Sequence, residues 1–340
     1  MSAARGLTPF APLIGLGLLL IALSILPLAL GARPFELRLF TVIFLYATLG
    51  HAWNILGGYA GQTSLGHGVL FGLGAYCSTM LLTRTGLSPW FGMLAGAALA
   101  TMVGVLLGFV GFRLRGHYFV IATLVVAESV FLLFSAWDWV GAALGLQIPI
   151  AEESFGNFQF HRIKVGYYYI AFALLFATTL LVWWLEQSKI GMVLRAIRDD
   201  EDAVRSLGFS PLRYKLIAMA MSAAICGAGG VFYAQYVLFI DPPSVLALSL
   251  SVLIALIPIL GGAGTLIGPI LGAVVLIPIS EYSRIYFSGS GRNVDLLIYG
   301  FLIMLMSVYR PDGLASLLRG MSSWFRAGGT AARGLHQRNP

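Results

Sequence analysis

The stretch NILGGYAGQTSLGHGVLFGLGAY, residues 54–76, puts glycine and hydrogen-bonding side chains between two apolar runs. Gln62, Thr63, Ser64, Gly66 and His67 lie in its middle. Lipid offers the backbone no hydrogen-bond partner, so non-helical chain at membrane depth survives only where protein or a water-filled cavity satisfies it. Glycine also lets helices approach closely and lets the chain leave helical geometry. The stretch therefore reads as a tight helix crossing or, on the strength of its polar residues, as an element that lines or gates a pathway.

The surrounding chain sets the solvent. Of 340 residues, 59% are hydrophobic and 10% charged, with a mean hydropathy of +0.88. A soluble domain carries roughly 25% charged residues, so the sequence specifies an all-α, polytopic integral membrane protein. Windows of about 19 residues mark ten spans, at 10–30, 39–56, 65–83, 90–112, 118–137, 166–185, 215–238, 246–261, 265–283 and 294–309. The first is too long for the apolar core of a cleaved signal peptide and is read as retained. Residues 1–318 form one transmembrane domain with a cytoplasmic segment at 186–213. Residues 319–340 are a polar, basic tail read as disordered. Cys77 and Cys226 both lie in apolar segments and are read as packing residues, with no disulfide framework and no metal spacing.

Lys and Arg set the orientation. With both termini in the cytoplasm, fourteen basic residues fall inside, including Lys189, Arg195, Arg198, Arg205, Arg213 and Lys215, and seven outside, including Arg84, Arg162 and Arg284. The net charge of +7 is thus matched to anionic lipid at the cytoplasmic face, not to nucleic acid.

A second stretch, GGAGTLIGPILGA at 261–273, repeats the Ala-Gly, Thr and Gly-Ala order of the first. It contributes Gly261, Gly262 and Gly264 to the candidate pathway. Both stretches fall on the cytoplasmic side between apolar runs, which points to two related halves with broken or re-entrant segments. The second lacks the glutamine and histidine, so packing explains it as well as gating does.

Glu128, in IATLVVAESVFLLF, lies about ten residues into its span, roughly 15 Å deep at 1.5 Å per residue. An acid there faces the protein interior or a cavity. It is read as a structural hydrogen-bonding group, as a pathway residue, or as the ion site of a gradient-driven carrier.

Between spans six and seven, Ile190, Val193, Leu194, Ile197, Val204 and Leu207 recur at three- and four-residue steps. This marks an amphipathic helix, stopped by Gly208 and Pro211. Its apolar face lies on the membrane surface or docks in a partner's groove. Asp199, Asp200, Glu201 and Asp202 are four of the fourteen acids in the chain, and basic residues flank them.

Taken with RLRGHYFVIATLVVAE at 113–128 and RPDGL at 310–314, these blocks are in the right order to name a likeness. The chain resembles the permease subunits of bacterial importers of the ATP-binding cassette (ABC) class for branched-chain amino acids, of the LivM type, over residues 40 to 318. The resemblance implies a multi-pass protein of the bacterial inner membrane that forms half of a translocation pathway. It also implies a homologous permease as heterodimer partner, two cytoplasmic ATPases and a periplasmic substrate-binding protein. Through the resemblance the 186–213 segment is the coupling element, with Leu194, Arg195, Ile197, Arg198, Asp199, Asp200, Glu201, Ala203 and Gly208 as its contact residues. Glu201, Ala203 and Gly208 carry a loosened form of the Glu-Ala-Ala…Gly pattern of importer permeases.

Departures at WVGAALGLQIP and SLSVLIALIPIL leave urea, short amides or other hydrophobic compounds open as substrates. The chain contains no Gly-Lys dipeptide and hence no phosphate loop. ATP and Mg are therefore expected on the partner ATPases, with no cofactor here. No H-E-x-x-H or G-x-S-x-G element supports an intramembrane enzyme.

Overall fold

The computed structural model describes residues 33–114, 117–160, 164–287 and 313–316, with isolated positions at 27, 300, 301 and 304. The tail at 319–340 and nearly all of the predicted spans 10–30 and 294–309 lie outside the described residues. The other eight predicted spans are each occupied by helix. They are α1 (Pro34–Asn54), α2 (His67–Thr85), α3 (Pro89–Gly111), α4 (His117–Ala136), α5 (Val165–Gln187), α8 (Pro211–Val237), α10 (Leu248–Gly261) and α11 (Gly268–Phe287). Short helices α6 (Lys189–Asp199), α7 (Glu201–Ser206) and α9 (Pro242–Val245) join them.

Among the described residues, six helical segments are long and apolar enough to cross a membrane: Pro34–Tyr59, Pro89–Gly111, Tyr118–Ala136, Val165–Gln187, Pro211–Val237 and Pro242–Gly261. The chain is thus a helical, multi-pass membrane protein. The polar start of α2 and the shorter apolar part of α11, Gly268–Ser283, keep those two helices below that standard.

Small residues set the central packing. The buried face of α3 is Gly92, Gly96, Ala100, Gly104, Gly108 and Gly111, while the opposite side, with Phe91, Leu94, Met102 and Leu106, is exposed apolar surface and the flanks are half-buried. Without water to drive helices together in lipid, close backbone approach supplies the van der Waals contact. Gly96 shows how close. A Cβ there would stand 2.8 Å from Val231 Cγ2 on α8 and 2.9 Å from the Gly74 carbonyl oxygen on α2. Gly74 itself faces the backbone of Gly227, so α2, α3 and α8 meet through three glycines.

The loop at 137–160 closes the end of the bundle farthest from α6 and α7. Its β1 (Leu146–Gln147) pairs antiparallel with β2 (Phe239–Ile240), beyond α8. Arg84 Nη2 donates to the Trp139 carbonyl oxygen at 2.7 Å, and Trp90 Nε1 to that of Phe155 at 2.7 Å.

Candidate functional site

The two glycine-rich stretches both break a helix, and the breaks meet. After Asn54, α1 continues as a π-helical turn, Ile55–Tyr59, and the chain then leaves helical geometry until α2 begins at His67. In the second stretch α10 ends at Gly261 and α11 starts at Gly268. Asn54 joins them. Its Nδ2 donates to the Thr265 carbonyl oxygen at 3.0 Å, and its Oδ1 accepts from the Gly264 amide at 2.7 Å. Gly58 packs directly on the Gly264 backbone. The RPDGL block reaches the same place: the Leu314 amide donates to the Leu260 carbonyl oxygen at 3.0 Å. A Cβ on Gly313 would lie 2.5 Å from Gly262 N.

The polar residues of the first break divide by burial. Thr63 is exposed and Gln62 half-buried. Ser64 is buried; its hydroxyl accepts from the Gly66 amide at 3.1 Å, and its carbonyl oxygen accepts from Trp53 Nε1 at 2.8 Å. Gly66 is buried against Thr123 of α4, whose hydroxyl accepts from the Leu65 amide at 3.1 Å. His67 is fully buried, with Nε2 2.9 Å from Ser222 Oγ on α8. Next to it, the Gly68 amide donates to Ser251 Oγ on α10 at 2.9 Å. In this conformation His67 is a packing histidine that ties helices together.

Segment 186–213 lies against these breaks, and the single amphipathic helix expected there is corrected to two. Asp200 leaves helical geometry, and its Oδ1 accepts from the amides of Asp202 at 2.9 Å and Ala203 at 3.0 Å, capping α7. An N-cap aspartate satisfies orphan donors better by starting a new helix than by continuing the old one. Gly208 then ends α7 as expected. The expected free apolar face is also corrected. Leu194 and Ile197 are buried, Leu194 in the chain's own core, because α6 folds back on α5, α8 and the first break. The exposed apolar side chains of the segment are instead Met192, Leu207 and Phe209.

Electrostatic ties fasten the segment. Glu201 Oε2 accepts from the buried Lys215 Nζ at 2.5 Å and its Oε1 from Arg205 at 3.3 Å. Tyr59 OH donates to Glu186 Oε1 at 2.6 Å, and Arg195 Nη2 to the Glu186 carbonyl oxygen at 2.7 Å. Arg198 Nη1 donates to the Gly58 carbonyl oxygen at 2.9 Å. Asp199, Asp200 and Ala203 face outward.

Glu128 departs from expectation. It lies on the exposed face of α4 beside Val125 and Leu132, and within this chain it makes no hydrogen bond or ion pair with a described residue. The inward-facing reading is therefore corrected: α4 buries its smaller face and presents Glu128 away from the bundle. No group of described residues has the makings of a metal site.

Sequence reading missed Asn54 and the α3 glycine face. The four-residue recurrence from Gly92 to Gly108 would have revealed the second. Nothing in the sequence reveals the first, since its partners lie 210 and 211 positions away.

Comparison with known proteins identifies the family. The family described as branched-chain amino acid transport system / permease component matches residues 36–307. The high-affinity branched-chain amino acid transport system permease protein LivM of Escherichia coli (strain K12) is 32% identical over 82% of this chain and 69% of its own length. A probable LivM of Methanocaldococcus jannaschii is 26% identical over 64% of this chain and 66% of its own. The autoinducer 2 import system permease protein LsrC of Enterobacter sp. (strain 638) is 25% identical over 64% and 62% respectively. No solved structure matches. With the family matching most of its length, the chain belongs to the permease components of branched-chain amino acid transport systems.

Proposed function

We propose that the chain is a permease subunit of a bacterial ABC importer and forms half of the pathway for branched-chain or other hydrophobic amino acids. Ten spans cross the inner membrane with both termini in the cytoplasm. A homologous permease completes the pathway, two ATPases bind ATP and Mg, and a periplasmic protein delivers substrate. The ATPases are met by the outward face of 186–213: Met192, Asp199, Asp200, Ala203, Arg205, Leu207 and Phe209. The stretch from Gln62 to His67, with Gly261, Gly262 and Gly264, forms the cytoplasmic gate.

Beyond family membership, the observation that carries this reading is the placement of Glu128. An acid near the bilayer centre costs on the order of 2.5–3.5 kcal/mol by insertion scales, so its face is not a lipid face. In this chain that face is open. A second subunit, with a hydrated pathway between the two, gives the carboxylate its surroundings. The test is co-expression of the chain with the other subunits of its importer. ATPase subunits should co-purify with the chain, and uptake of leucine into proteoliposomes should require ATP. Uptake driven by an ion gradient without ATPases would make the chain a secondary carrier.

A further inference from the structure

Arg198, in the last turn of α6, touches both glycine-rich breaks. Gly58 lies in the π-helical turn where α1 runs out, and the carbonyl groups of a final turn lack intrahelical partners. The Leu56 carbonyl oxygen finds one in the Gln62 amide at 3.0 Å. That of Gly58 receives Arg198 Nη1 at 2.9 Å, and a cation there also complements the negative end of the helix dipole.

The arginine is partly exposed, its side chain 41% accessible, but its stem and Nη1 pack on the backbone of the two breaks. A Cβ on Gly61 would fall 2.7 Å from Arg198 Cγ and 3.2 Å from its Cα. On the other side, a Cβ on Gly264 would fall 2.6 Å from Arg198 Nη1 and 3.0 Å from the Gly58 oxygen. Both glycines hold positive φ, +68° and +76°, which side chains with a Cβ seldom adopt. The acid nearest the arginine is its neighbour Asp199, at 3.6 Å from Nε and largely exposed, and such a pair contributes little. A carbonyl bond and close packing therefore hold Arg198, and both are lost if α6 shifts by a few ångströms.

We propose that Arg198 is the positioning residue that transmits movement of α6 to both breaks at once, holding the first to the second while α6 is seated. The proposal rests on the importer reading above, and it assigns Arg198 to the pathway side of the segment, away from the ATPase contact.

The test uses the complete importer in proteoliposomes, comparing Arg198→Gln, Arg198→Lys and Gly264→Ala. Arg198→Gln should keep the ATPases bound and hydrolysing ATP while amino acid taken up per ATP falls by about tenfold, the weight of one hydrogen bond from a charged donor. Arg198→Lys, which retains a donor for the Gly58 oxygen, should recover part of that yield. Gly264→Ala should lower the yield in the wild type and add less when combined with Arg198→Gln, because the guanidinium it collides with is gone. Unchanged uptake per ATP in Arg198→Gln overturns the proposal. So does a loss of ATPase binding that accounts for all of the lost uptake, or simple multiplication of the two effects. Absence of ATPases from the wild-type preparation would instead fail the importer reading itself.

Discussion

Asn54 and Gly264 stand 210 positions apart and share a 2.7 Å hydrogen bond, amide to Oδ1. The other end of the same side chain donates to the Thr265 carbonyl oxygen. One fully buried amide thus replaces, at the junction of two broken helices, the bonds that helical geometry would have supplied.

Replacing Asn54 should therefore destabilise the fold through unpaired backbone. Asn54→Leu strands the Gly264 amide and the Thr265 oxygen, at about 1–3 kcal/mol for each group left unpaired. Asn54→Asp keeps the acceptor, loses the donor and adds a buried charge. Thermal unfolding of the purified chain in detergent should show both variants melting below the wild type. An unchanged midpoint for Asn54→Leu would mean that the junction is not held by this side chain.

The glycine face of α3 makes an opposed pair of predictions. Gly96→Leu forces a side chain into the Val231 and Gly74 contact, and overpacking of this kind costs roughly 1–3 kcal/mol or more. Leu94 is 72% exposed on the opposite face, and Leu94→Ala should leave the midpoint nearly unchanged. Equal sensitivity at the two positions would mean that α3 is turned differently in its membrane.

Accessibility tests the open face of α4. With Cys77 and Cys226 replaced by alanine, a cysteine at 128 should react with a hydrophilic maleimide in the assembled importer, and added leucine should slow the reaction. Leu106 is 60% exposed on the apolar outer side of α3; with lipid covering that side, Leu106→Cys should stay unlabelled. Reaction at 106 together with silence at 128 would place lipid on α4 and remove the main physical support for the pathway reading.

Much of this architecture could be read from the chain because lipid as a solvent simplifies the code. Apolar runs had to be helices, since no other open structure satisfies backbone polar groups in a bilayer. The polar and glycine-rich stretches interrupt them at 60–66 and 262–267. What local pattern could not supply was the partner of each exposed group. An isolated acid at membrane depth seeks protein, which points Glu128 inward for one chain alone and outward where a second subunit faces it. The spacing of Leu194 and Ile197 marks a buried face without naming what buries it, and the chain's own bundle does so. Asn54 and Arg198 carry no local signal, since each bonds backbone more than a hundred residues away.

That distinction between faces leads to a prediction about docking. Leu194 is fully buried and Ile197 nearly so, so truncating either should act on the chain's own stability, at about 2–5 kcal/mol for a buried leucine or isoleucine cut to alanine. Met192 and Leu207 are 67% and 75% exposed and contribute little to the isolated fold. If the outward face of 186–213 meets the ATPases, these two are the apolar groups that the contact covers, at about 25 cal/mol for each Å² removed from water. The Met192→Ala, Leu207→Ala double variant should therefore melt like the wild type yet retain less ATPase on pull-down. Leu194→Ala should lower the melting point first and lose ATPase only as the chain unfolds. Measuring unfolding and pull-down on the same preparations separates the two. Full ATPase retention by the exposed-face variant, with loss in a Leu194→Ala chain that is still folded, would place the contact on the buried face and require α6 to detach from the bundle before docking.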